Sequence, residues 1–90
     1  MACEQLIYPG VDSSKWACVK DAVSRAYGLS IDSNVGEASE HGFTLEWRYD
    51  ASEESLVVQC TQKPFFVSCG MVTKRLHDEF EKCGILAPDP

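Results

Sequence analysis

No apolar run in this chain approaches the roughly 18 consecutive residues that a bilayer-crossing helix needs, so no membrane partner is expected. The opening Met1-Ala2-Cys3-Glu4-Gln5 has neither the basic stretch nor the apolar core of a secretion signal. Basic side chains are scarce: eight Lys and Arg face fourteen Asp and Glu, a formal charge of -6. The electrostatic attraction that holds nucleic-acid binders to phosphate would here be repulsive, which excludes DNA or RNA as an expected partner. Metal-ligand spacing is missing too, since Cys60, Cys69, His77 and Cys83 form no CxxC or HxxxH pair. Gly36, Gly42 and Gly70 are too scattered for a phosphate-cradling loop. No metal and no cofactor are therefore expected.

The chain does contain five cysteines, Cys3, Cys18, Cys60, Cys69 and Cys83, an odd number without a tight repeat. Small secreted domains carry even frameworks, so this set is expected to be reduced and the protein cytoplasmic. With 44% hydrophobic, 10% aromatic and 24% charged residues, the composition is that of a folding chain rather than a disordered one. Ninety residues suffice for a single domain spanning 1–90. Loose ends are expected at about 1–3 and 87–90, and a long Ser-, Asn-, Gly- and Glu-rich loop at about 30–42.

Asp12 is placed to cap a helix from about Ser13 to Tyr27, and Gly28 to stop it. Trp16, Val19, Val23, Ala26 and Tyr27 recur at steps of three and four along one face. Phe43 to Tyr49 alternates apolar and polar residues at the two-residue period of a half-buried strand. A polar turn, Asp50 to Ser55, leads to a second strand from Leu56 to Thr61. Setting Tyr49 opposite Leu56 also pairs Trp47 with Val58 and Leu45 with Cys60, placing every apolar member on one face. Pro64 ends the ladder because it has no amide donor. Cys69, Val72, Leu76, Phe80 and Cys83 form the stripe of a second helix over about 69–83, with Gly84 as its αL stop. A short edge strand is open to Cys3–Tyr8.

The expected fold is α+β, a small two-layer (β)αββα domain with two helices packed on one face of an antiparallel β-hairpin. Two strands alone make a marginal sheet, so a third strand from the N-terminus or a symmetric partner would relieve it, which favours a homodimer.

Cys69, in the first turn of the second helix, is the one candidate for an activated thiol, because a helix N-terminus favours the thiolate. It also belongs to the apolar stripe, and there it would be a small buried hydrophobe. His77 falls beside the charged side of that helix and reads as solvated, and His41 reads as a turn residue. Trp16, Trp47, Tyr49, Phe65, Phe66 and Phe80 could line a pocket between layers, although a chain this short needs its aromatics for the core. Adjacent Phe65 and Phe66 cannot both easily face the same core. Glu46, Arg48, Val57 and Gln59 occupy the outer face of the hairpin and are free to meet a partner.

With no catalytic constellation visible, the expected function is a non-enzymatic protein–protein interaction or self-associating module, its binding residues Phe65, Phe66, Glu46, Arg48, Val57 and Gln59. The alternative is a small-molecule-binding or thiol-dependent protein using an aromatic pocket and Cys69. A third class, an inhibitor that blocks a basic surface by acidic mimicry, rests on size and charge alone.

Overall fold

A computed structural model describes residues 3–85 of the chain. Its elements are β1 (Leu6–Tyr8), α1 (Ser13–Tyr27), β2 (Val35–Glu40), β3 (Phe43–Asp50), β4 (Ser55–Gln62) and α2 (Cys69–Lys82). The strands form one antiparallel sheet in the order β1-β4-β3-β2, and the fold is α+β.

Helix α1 begins where Asp12 accepts a hydrogen bond from the Lys15 amide at 2.9 Å and ends at Gly28, whose φ of 72° is the left-handed region. In α2 the Ser68 hydroxyl accepts from the Met71 amide at 3.2 Å. Its other end closes with Ile85 N–H on Phe80 C=O and Gly84 N–H on Glu81 C=O, each 3.0 Å, the paired bonds of a Schellman motif. Ile85 and Phe80 are both buried, the apolar contact that usually accompanies that motif.

The β3–β4 register pairs Tyr49 with Leu56, Trp47 with Val58 and Leu45 with Cys60, as the alternation required. A bulge between Thr44 and Leu45 then shifts Thr44 onto Gln62 instead of Thr61. One cluster of buried side chains joins Tyr8, Leu45, Trp47, Tyr49, Leu56, Val58 and Cys60 of the sheet to Trp16, Val19 and Val23 of α1 and Val72, Leu76 and Phe80 of α2. Trp16 stacks on Tyr49 at 4.9 Å, while Phe80 meets Tyr8 edge-on at 4.7 Å.

Three expectations need correction. The segment expected as a long loop over 30–42 contains β2, joined to β3 by a tight turn at His41 (φ 53°) and Gly42 (φ 84°). The connection before it is tied down by both tryptophans: Trp16 donates to Asn34 Oδ1 at 3.0 Å and Trp47 to the Ser33 carbonyl at 2.9 Å. Next, Cys3 is no loose end, because it is buried and its amide donates to the Cys60 carbonyl at 2.8 Å. The other expected loose residues, 1–2 and 87–90, lie outside the described residues.

Finally, four cysteines are not reduced thiols. Cys3 is bonded to Cys69 and Cys18 to Cys83, and Cys60 alone remains a free thiol, buried. Helix α2 is therefore held at both ends, by the chain before β1 at Cys69 and by α1 at Cys83.

Candidate functional site

Strand alternation sends one set of β3 and β4 side chains into the core and the other set outward. The outward set forms two cross-strand rows. Ile7, Val57, Arg48 and Val35 make one, and Gln59, Glu46 and Glu37 make the next. Four of the six residues expected to bind a partner, Glu46, Arg48, Val57 and Gln59, thus come together on the uncovered sheet face, in an open groove of about 380 Å³ that Gln5, Val35 and Glu37 also line. Val35 and Glu37 join this face because the segment expected as a loop over 30–42 contains β2; the sequence signal for it is the His41-Gly42 pair, suited to a tight turn.

Phe65 and Phe66 stand apart from that face, on the connection between β4 and α2. Phe65 is 96% exposed and Phe66 75%, with their rings edge to face at 5.6 Å. They occupy the middle of a turn closed by the Val67 amide donating to the Pro64 carbonyl at 3.0 Å. A side chain added at Gly42 would come within 3.2 Å of the Pro64 ring, so the base of this turn rests on the β2–β3 turn.

The six aromatics that could line a pocket do not meet in one, and core packing holds for four of them. Trp16, Trp47, Tyr49 and Phe80 are core, whereas Phe65 and Phe66 are in solvent. A smaller apolar groove of about 220 Å³ lies instead between Tyr27, Phe43, Val67, Met71, Val72 and Arg75. Burial pushes the Tyr27 phenol up to about 12, and its hydroxyl oxygen is buried without a hydrogen-bond partner among the described residues.

Cys69 is not available as a thiolate nucleophile while bonded to Cys3. Cys60 is free, but burial pushes its thiol up, and its S–H lies 3.1 Å from the Gln62 carbonyl. His77 is half-buried rather than solvated, with Nδ1 at 2.7 Å from the Tyr8 hydroxyl. Burial also pushes the Tyr8 phenol up, and the imidazole tautomer sets which of the two atoms donates in this bond. Among the described residues no helix is long and apolar enough to cross a membrane. No model of a known protein family matches the chain, and no curated protein matches it either.

Proposed function

We propose that this chain is a non-enzymatic protein-interaction module whose anchor is the Phe65–Phe66 turn. The observation that carries the reading is the exposure of two adjacent phenylalanines, 96% and 75%, at the centre of a hydrogen-bonded turn. Fully burying a phenylalanine that would otherwise stand in water gains about 1.5–3 kcal/mol, and aromatic side chains dominate the energetics of interfaces. The turn is formed before any partner arrives. Little conformational freedom is left to lose on binding, which favours affinity. With a chain charge of -6, a basic rim around the partner's apolar pocket suits the rest of the surface.

The test is affinity capture from the native host with the wild-type chain and with F65S/F66S. Both residues are exposed, so the variant keeps its circular dichroism spectrum. A protein captured by the wild type and lost with the variant supports the anchor; an identical captured set sinks it.

The small-molecule or thiol-dependent reading loses its nucleophile to the Cys3–Cys69 bond. It returns only if iodoacetamide labels Cys69 without prior reduction. The same bonds bear on location, because cytoplasmic glutathione and thioredoxin keep thiols reduced. The cytoplasmic expectation rested on reduced cysteines, and our reading now places the working form in an oxidising compartment. Alkylation of the native protein before reduction, followed by peptide mass analysis, would find Cys3, Cys18, Cys69 and Cys83 all blocked from labelling; four labelled thiols restore the cytoplasm.

A further inference from the structure

We infer that the uncovered sheet face is a homodimer interface in which Arg48 of each copy sits between Glu37 and Glu46 of the other. This extends the interaction-module reading to a second surface and does not rest on the Phe65–Phe66 anchor.

The face carries an internal conflict. Glu37 and Glu46 are direct cross-strand neighbours on β2 and β3, and like charges so placed weaken a sheet. Among the described residues neither acid takes part in an ion pair within 4.0 Å, and neither does Arg48 on the adjoining row. One acid pair and one cation therefore lie side by side, both without an ion-pair partner among the described residues. Beside them Val35 is 64% exposed and Ile7 53%, apolar surface that a partner would cover.

A purely basic partner would have to cover Arg48 with like charge. A second copy does not. A twofold axis running across the strands, between the Arg48 row and the Glu46 row, exchanges the two rows. Each Arg48 then faces the other copy's Glu37–Glu46 pair, and the contact occurs twice, as an isologous interface requires. The strands of the two sheets run antiparallel across the interface, within the aligned class of sheet packing. Strands of 3, 6, 8 and 8 residues, about 4.8 Å apart with about 3.3 Å per residue, offer a face of roughly 400 Å² before side-chain relief. That is below the ~800 Å² per partner of a standard interface, so the dimer is a weak one that forms in the micromolar range or above.

Sedimentation equilibrium on the disulfide-bonded chain, from low micromolar to near-millimolar concentration, reads the mass directly. The wild type is expected to move towards twice the chain mass as concentration rises. R48E is expected to raise the dissociation constant about tenfold or more, and E37R/E46R to do the same. An equimolar mixture of those two variants, one face all acidic and the other all basic, is expected to form the heterodimer that neither homodimer achieves. A wild-type chain that stays monomeric throughout overturns the inference, as does a dimer indifferent to both variants or a mixture that does not recombine. Dimer loss in F65S/F66S with R48E unaffected would also overturn it and assign self-association to the anchor instead.

Discussion

Gly36 on β2 stands opposite Trp47 on β3, and a Cβ there would lie 3.0 Å from the ring's Cζ2 and 3.2 Å from Ser33 Oγ. The indole covers the space that a side chain would take. G36A should therefore force the ring aside and cost about 1–3 kcal/mol, seen as a lower urea midpoint with an unchanged slope. Gly70, in the first turn of α2, is the opposite case, since its added Cβ would meet only Ser68 Oγ at 3.8 Å. G70A should stabilise by about 0.5 kcal/mol through the entropy it removes from the unfolded chain. Tyr8 offers a third residue-scale check: Y8F keeps the ring packed on Phe80 but leaves His77 Nδ1 without its hydroxyl partner. It should cost about 1 kcal/mol in the same unfolding measurement.

At the scale of elements, α2 is the part most dependent on distant chain. The two bridges span 66 and 65 residues, which in the chain-entropy account is a stabilisation of about 4 kcal/mol each when the other is absent. The total stability of a chain this size is roughly 5–13 kcal/mol. C18A/C83A should thus fall by several kcal/mol in urea unfolding under non-reducing conditions, and reduction of both bridges should leave the wild type marginal. Equal midpoints with and without reductant would show that the noncovalent core holds α2 unaided. The strands tell a similar story of help from afar: β1 and β2 flank the β3–β4 hairpin on both sides. The weakness of a two-stranded sheet is thereby met within the chain, and a homodimer now rests on the uncovered face instead.

For the whole molecule, the titrating groups define a pH window. Burial raises the Cys60 thiol above its ordinary 9.0 and the Tyr27 phenol from 10.0 to about 12. Raised folded values contribute stability below the unfolded ones, and that stability is lost as pH climbs through the folded values. Asp12 is held below 3.8 chiefly by the Lys15 amide, and Asp50 chiefly by the Ser52 hydroxyl, so their contributions disappear as pH falls through those lowered values. The melting temperature should stay level through neutral pH, decline below 3.8, and decline again above 9.0. In a C60A background the alkaline decline should begin later, above 10.0, where only the phenols remain.

Both helices, their caps at Asp12, Gly28 and Gly84, and the Tyr49–Leu56 register follow from the sequence by itself, whereas the Ser68 cap of α2 is seen in the structure. These are local: a period of 3.6 or 2, a side-chain acceptor next to free amides, a residue free to adopt positive φ. The outward placement of Glu46, Arg48, Val57 and Gln59 follows equally, because strand alternation decides it without reference to anything distant. Only the tertiary structure decided the rest. β2 has little apolar content, so its pairing comes from β3 beside it and from two indole N–H groups that reach back to Ser33 and Asn34. Which cysteines meet depends on where α1, α2 and the chain before β1 converge, and no spacing rule carries that information. The exposure of Phe65 and Phe66 was likewise a three-dimensional outcome: the core was already filled by Trp16, Trp47, Tyr49 and Phe80, and the turn from Pro64 to Val67 left both rings outside.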